Sequence, residues 1–539
     1  MKLLAMKYIV KSIKNLFTLA IVLATVTAAG AQNLQAGKRA LEMEKFSEAK
    51  KIFNDLLSNE NDGDIFYYMG ETYFQMEKPD SARIWFEKGI TSDPKNAMNY
   101  VGLGKIHLNN DKPSEAKASF ETAVKLVKEK DPIVLSLISE AYISTPHKYA
   151  NEAQEYATKA VELKKNKPEP LIALGDVLLQ KGKGGDAISN YIDASTIDNS
   201  LAKPHVRIGK VNYHARLFKD ALAAYEKAIE VDPNYAPAYR ELAELYTKYA
   251  IYPKAEETYR KHLELSELTI DKEIRLAQIM FLNKKYAEVT DMFNNILKRD
   301  STNVFLYRLN AYTSYEVGKY EQGLKDIEKF LTTVKPEKLI SSDYVYYSKL
   351  LAKTPGKDSL AMQAMERAID LDSNEYQLYS DLAAMYTSAR RYGDAVRVHE
   401  RMVSGKSNPT VNDYYYLGRA YFTNKDFQKA DSAFARVAEK MPESYSGWLW
   451  RARSNYYLDP NNEKALAKPY VEKFVEIAVA DTANTKRYTS DLITAYEYLG
   501  YYYFINKDVV KAEENFKALL SIDPKNVKAL DYFERRKKK

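Results

Sequence analysis

Six histidines, His107, His147, His205, His214, His262 and His399, are the side chains of this sequence best suited to proton transfer or metal binding near neutral pH. No two of them form an H-E-x-x-H pair, which would set two imidazoles on one helical face with a carboxylate between them. His205 and His214 are nine residues apart, which is not a zinc spacing. The glycine-rich stretch Lys181-Gly182-Lys183-Gly184-Gly185 lacks the G-K-[ST] of a phosphate cradle, and no G-x-S-x-G elbow occurs. Glu60–Asp64 has the acidity of a calcium loop, but counting from Gly63 puts Met69 where a bidentate glutamate must stand. With no cysteine in 539 residues, thiol nucleophiles, disulfides and thiolate metal sites are excluded. The sequence therefore predicts no catalytic residue, no metal ligand and no cofactor. A carboxylate pair hidden among the many Asp and Glu residues, as in a cryptic hydrolase, is the one enzymatic alternative.

The elements that carry these residues are announced by small side chains on a fixed period. Gly175, Gly209, Ala243, Ala277 and Ala311 are 34 apart, and Ala187, Ala221, Ala255, Val289 and Gly323 repeat the same interval twelve residues later. A small residue at constant phase marks a close approach of two helices in every unit. A period of this length predicts stacked helical hairpins, each burying its apolar face against its neighbours. His107, His262 and His399 fall on core phases of this repeat, so packing explains them better than chemistry.

The segment 64–94 carries Gly70, Tyr73, Ala82, Phe86 and Pro94 in an order that recurs at Gly209, Ala221, Tyr225, Ala228 and Pro233. It returns at Gly418, Tyr421, Ala430, Phe434 and Pro442, and again at Gly500, Tyr503, Ala512, Phe516 and Pro524. This order resembles the tetratricopeptide repeat, and the resemblance covers nearly all of the chain after residue 31. It implies an all-α fold: a right-handed superhelical α-solenoid of about fourteen helix-turn-helix repeats. Asp-Pro at 93–94, 232–233 and 523–524 is expected to end one unit and open the next, since proline suits a first helical turn.

The register also locates irregularities. Extra residues fall in the turn Ser144-Thr145-Pro146-His147, and Val289, Gly323 and Met365 replace the expected Ala or Phe. Ala452 and Gly500 are 48 apart rather than 34, with Pro469 expected to interrupt a helix and Asp481-Thr482-Ala483-Asn484-Thr485 reading as a linker. The expected organisation is a signal peptide (1–31), an N-terminal array (32–266) and degenerate units (267–370). A further array follows (371–480, irregular near 445–480), then a final repeat with a basic cap helix (481–539). No stretch after the leader is left over for a separate catalytic domain.

Lys2, Lys7, Lys11 and Lys14, the apolar run Leu16–Thr27 and then Ala29-Gly30-Ala31 read as a secretory leader, with cleavage expected between Ala31 and Gln32. An uncleaved anchor is the alternative, and no later segment is apolar enough to span a bilayer. The expected location is a bacterial periplasm or envelope. Eighty basic and 73 acidic residues leave a formal charge of +7, four of which belong to the leader. That balance does not call for nucleic acid. The terminal run Arg535-Arg536-Lys537-Lys538-Lys539 suits a solvated helix end, or peripheral contact with an anionic membrane or acidic partner.

What remains is a surface for binding protein partners. The resemblance places the concave face at −6, −3, +1, +4 and +5 from each small ladder residue, which nominates Tyr67, Phe74, Tyr213, Tyr415, Arg419 and Phe422. Tyrosine, at 44 against 19 phenylalanines, offers a large apolar body with a polar tip, as recognition surfaces require. Tyr73, Tyr246, Tyr386, Tyr421 and Tyr503 fall instead on a core phase. The lysine–asparagine pair with which co-chaperone members of the family clamp a terminal carboxylate is missing, since the matching phases hold Tyr67/Glu71, Val101/Lys105, Ile172/Asp176, Val206/Lys210 and Tyr415/Arg419. A non-enzymatic scaffold or adaptor is the reading that results, with a cell-wall or glycan-binding factor as the alternative.

Overall fold

A computed structural model describes residues 33–537 except 59–60, 145–147, 164–165 and 482–484. The leader, its cleavage site, most of the 144–147 turn, the centre of the 481–485 linker, Glu60, Lys538 and Lys539 lie outside the described residues. Among those described, the chain is built from helices alone, apart from turns and one short 3₁₀ segment at Pro336–Lys338. They pair into fourteen successive hairpins followed by a cap helix, Val527–Lys537. Two compact units result, Met1–Ser301 and Thr302–Lys539.

Most hairpins are closed by the same backbone device. The first helix ends in a residue of left-handed conformation, and the next amide bonds back five residues: Lys78 to the Tyr73 carbonyl, Leu217 to Asn212, Arg391 to Tyr386, Asp508 to Tyr503. This is a Schellman termination, which satisfies the last free carbonyls of the helix. Glycine supplies the left-handed residue at Gly182 (φ 75°) and Gly318 (φ 80°), but Glu77, Asp111, Arg216, Ala250, Lys284, Arg390, Lys425 and Lys507 adopt it too. Between hairpins, Asp93, Asp232 and Asp523 each accept from the amide two residues on, an Asx turn that stops the second helix. The proline that follows lies in this turn and not in a first helical turn, contrary to the expectation above. The helices that do carry proline in their first turn include Pro79–Ser92, Pro113–Leu126 and Lys468–Ala480. Pro469 thus starts a helix rather than interrupting one, because its missing N–H would be unbonded there anyway.

The ladder glycines work by contact. A β-carbon at Gly70 would lie 2.4 Å from the Phe86 ring, one at Gly209 2.3 Å from Tyr225, and one at Gly418 2.7 Å from Phe434. The aromatic ring of the second helix therefore rests on bare backbone of the first. At Ser139 no ring is used: it faces a helix carrying Ala157 and donates to the Ala153 carbonyl at 2.8 Å. In the stretch where the consensus weakens, Val289, Ile327 and Phe330 are fully buried, so the hairpins 270–299 and 304–333 keep the packing with different residues. Ala221 has no exposed surface. Replacing it with leucine is expected to overpack this contact by about 2 kcal/mol. Limited proteolysis should then cut near residues 202–231 first, because coupling in such an array runs between neighbours. Uniform melting would contradict that.

Candidate functional site

In the first unit the concave face is occupied by the protein itself. The residues one past most ladder positions carry charge, and neighbouring first helices pair several of them. Glu71 meets Lys105 at 3.0 Å, Asp176 meets Arg207 at 2.9 Å, Lys210 meets Glu241 at 3.0 Å, and Arg275 Nε donates to Glu244 at 2.7 Å. The first hairpin also returns to the seventh. Glu44 pairs with Arg240 and, at 3.0 Å, with Lys272, and it accepts the Glu267 amide on its own carbonyl. Arg39 pairs with Asp232, while the amide and hydroxyl of Ser47 both donate to Glu267. Burial alone would raise the Glu44 carboxyl, but Arg240 and Lys272 outweigh it and hold the group below the ordinary carboxylate range. Beside this latch His262 is fully buried, its Nδ1 3.0 Å from the Ala236 carbonyl; burial pushes its pKa down to about 4. The sequence assignment of His262 to the core is what the structure shows.

The predicted contact residues consequently separate into two groups. Tyr67 is only 5 % exposed and packs on Phe86, so it offers no surface to a partner. Phe74 and Tyr213 are half-buried beneath Lys105 and Lys248, whose ammonium groups sit 4.2 and 3.8 Å from the ring centres. Tyr415, Arg419 and Phe422 belong to the second unit and come together around Trp450. Most of the core-phase tyrosines are buried as expected. Their hydroxyls explain why tyrosine replaces phenylalanine there: Tyr386 reaches Glu366 at 2.6 Å and Tyr421 reaches Glu400 at 2.5 Å, each in the preceding hairpin.

Toward the C-terminal end of the second unit the concave face opens into a cavity of about 1360 Å³. It exists because the 48-residue interval is filled by a long helix. Thr485–Ile505 has 21 residues, against 13 for first helices of regular hairpins such as Gly63–Gln75. A loop after Tyr445–Leu458 is gathered on Asp459, which accepts from the amides of Glu463 and Lys464 at 2.9 Å, and Tyr498 ties the long helix to this loop through Asn462 at 2.6 Å. The walls are aromatic: Phe422 and Trp450 on one side, Tyr498 and Phe516 on the other. Tyr457 stacks on Phe427 at 4.7 Å yet remains 54 % exposed, and Tyr501 is 59 % exposed. Charges ring the rim as pairs, Arg453–Asp491 at 2.6 Å and Lys528–Glu497 at 2.5 Å. Arg535 and Arg536 of the basic terminus line the same cavity and pair with Asp531 and Glu513, both at 2.8 Å.

Arg453, Tyr456, Tyr457, Tyr501 and Phe504 escaped the sequence reading although the signal was present. They are the +1, +4 and +5 positions of Ala452 and the +1 and +4 positions of Gly500. Trp450 is off those phases and had no such signal. Among the described residues no group of three or more His, Asp or Glu is placed to hold a metal ion, and no helix is long and apolar enough to cross a membrane.

Family models of the tetratricopeptide repeat match residues 34–97, 99–127, 207–267 and 414–444. The chain is 23 % identical over 223 residues to a BBSome complex member BBS4 homolog of Drosophila melanogaster, covering 38 % of this chain and 44 % of that protein. It is 22 % identical over 313 residues to DnaJ homolog subfamily C member 7 of Mus musculus, covering 53 % and 63 %. It thus spans about half the length of these relatives. Among solved structures, the C-terminal part of a TPR repeat-containing protein from Cytophaga hutchinsonii is 38 % identical, covering 48 % of this chain and 98 % of that one, with a TM-score of 0.39. Proteins built from this repeat generally mediate protein–protein interaction. From ladder, hairpin geometry and family models together, the chain belongs to the tetratricopeptide-repeat proteins.

Proposed function

We propose that this protein is a non-enzymatic scaffold that holds a polypeptide partner in the C-terminal groove of its second unit, and that it works in a bacterial cell envelope after removal of residues 1–31. The observation that carries the binding reading is the contrast between the two concave faces. The charges of the first are paired between its own helices and its ends are latched. The second presents a large open cavity with exposed aromatic side chains at its mouth. Exposed aromatic anchors beside a desolvated pocket are the usual source of binding energy, whereas polar rim contacts contribute little. The location reading is supported by the charged, apolar and small-residue order of the leader.

The test is capture of cross-linked partners from intact cells with the full chain. Replacing Tyr457 and Tyr501 together with alanine should weaken capture by about 2 kcal/mol or more, and changing the exposed charges Lys88 and Glu226 should not. Capture that survives the groove substitutions but disappears when residues 535–539 are removed would move the site to the basic terminus. Envelope material whose intact mass retains residues 1–31 would replace cleavage by anchoring.

A further inference from the structure

The concave charges follow a different rule in the two units. In the first, several residues one past a ladder position find an opposite charge on an adjacent helix, as in Glu71–Lys105 and Lys210–Glu241. In the second, successive hairpins place Arg419 and Arg453 at that phase, and like charges cannot neutralise each other. Trp450 stands between them, with the two guanidinium carbons 4.5 and 4.6 Å from its ring centre. Arg453 is satisfied by Asp491 at 2.6 Å. Arg419 is exposed, its one side-chain hydrogen bond is a 3.4 Å contact to the Tyr415 hydroxyl, and among the described residues no carboxylate lies within ion-pair distance of it.

Stacking on an indole fixes the plane of a guanidinium while leaving its N–H fork free, the geometry that a carboxylate takes up bidentately. The surroundings favour the same sign. Cations outnumber anions four to three along the cavity lining, and Lys537-Lys538-Lys539 follow directly in sequence. Resting on the groove reading above, we infer that the partner segment is acidic: it carries a carboxylate that docks on Arg419 next to an apolar side chain that enters the cavity between Trp450 and Tyr498. The ordering is paid for in advance, since Trp450 is itself held against Phe434 at 5.5 Å with nearly parallel rings.

The probe is a fluorescein-labelled peptide in which a Phe-Leu pair is flanked by glutamates, compared with the same peptide bearing glutamine at those positions. Fluorescence anisotropy with the full chain should show the glutamate peptide binding about tenfold tighter at low salt, with the advantage shrinking as salt is added. Arg419→Gln should remove the difference. Arg419→Lys should restore only part of it, because an ammonium lacks the planar fork. Equal binding of the two peptides, or an unchanged preference in Arg419→Gln, overturns the acidic assignment. So does displacement of the glutamate peptide by chitohexaose but not by an unlabelled copy of itself, which would assign the aromatic rim to a glycan. The groove reading fails separately, if partner capture survives Tyr457→Ala with Tyr501→Ala.

Discussion

Replacing Glu44 with alanine is expected to release the first hairpin from the seventh. Glu44 and Lys272 are mostly buried, with side chains 15 % and 13 % exposed, and the truncation leaves Lys272 without its anion while Arg240 retains only Glu241. Removing one partner from such a group costs about 3 kcal/mol, more than the pair contributes over two apolar residues, because an unpaired charge stays behind. Hydrogen exchange should therefore accelerate about a hundredfold in Phe46–Leu57, which follows Glu44, and in Ala236–Lys248, which carries Arg240, while the helices of the second unit keep their protection. Glu48→Ala changes an exposed carboxylate with only a 3.9 Å contact to Lys45, and it should leave exchange as it is. Unaltered protection in both helices of the Glu44 variant would mean that the latch carries no closing energy.

The same region should be acid-sensitive before its carboxylates titrate. His262 has a pKa of about 4 in the folded chain against an ordinary value of 6.5, because burial disfavours the imidazolium. Between those two values the unfolded chain binds the proton and the folded chain does not. Stability is therefore whole above pH 6.5, falls by about 3 kcal/mol on the way to pH 4, and loses nothing more to this group below that. His262→Asn keeps a donor for the Ala236 carbonyl and removes this titration, so the slope in this window should shrink to what His205 of the same unit, also lowered by burial, contributes. His399 in the second unit is also lowered by burial, and for that reason the effect must be read by exchange in helices around Ala236–Leu245 and not from a global melt. A variant that keeps the original slope would assign the acid response elsewhere.

The hairpins were legible because their determinants are local and repeated. Gly209 and Tyr225 sit sixteen residues apart in one unit, and the same pair recurs as Gly175 with Tyr191 and Gly418 with Phe434. Closure of the first unit was not legible. Arg39 and Asp232 are 193 residues apart, and nothing near either marks the other, since their meeting depends on small rotations accumulated over the intervening hairpins. Tyr67 was nominated by a phase rule that assumes an open concave face; in a closed unit the same phase points into packed side chains. Of Tyr415, Arg419 and Phe422, Phe422 lines the cavity, and all three gather around Trp450, which lines it too. Its far wall was legible only in part: Tyr501 stands one past Gly500, on the phase of the rule, whereas Tyr498 lies off it.

Arrays of this kind lengthen and shorten by whole hairpins, and the latch restricts where that can happen. One more unit inserted between residues 58 and 231 would carry Glu44 past Arg240, Glu267 and Lys272 by a full rotation and rise, and one fewer would leave it short of them. The first unit is thus tuned to an integer, and duplication within it is disfavoured in a way that no single hairpin's sequence reveals. Beyond residue 302 no such tie between distant hairpins operates among the described residues, so hairpins can be added or deleted there at the cost of two neighbouring interfaces. Versions of this chain differing in repeat number should differ in the second unit and agree in the first.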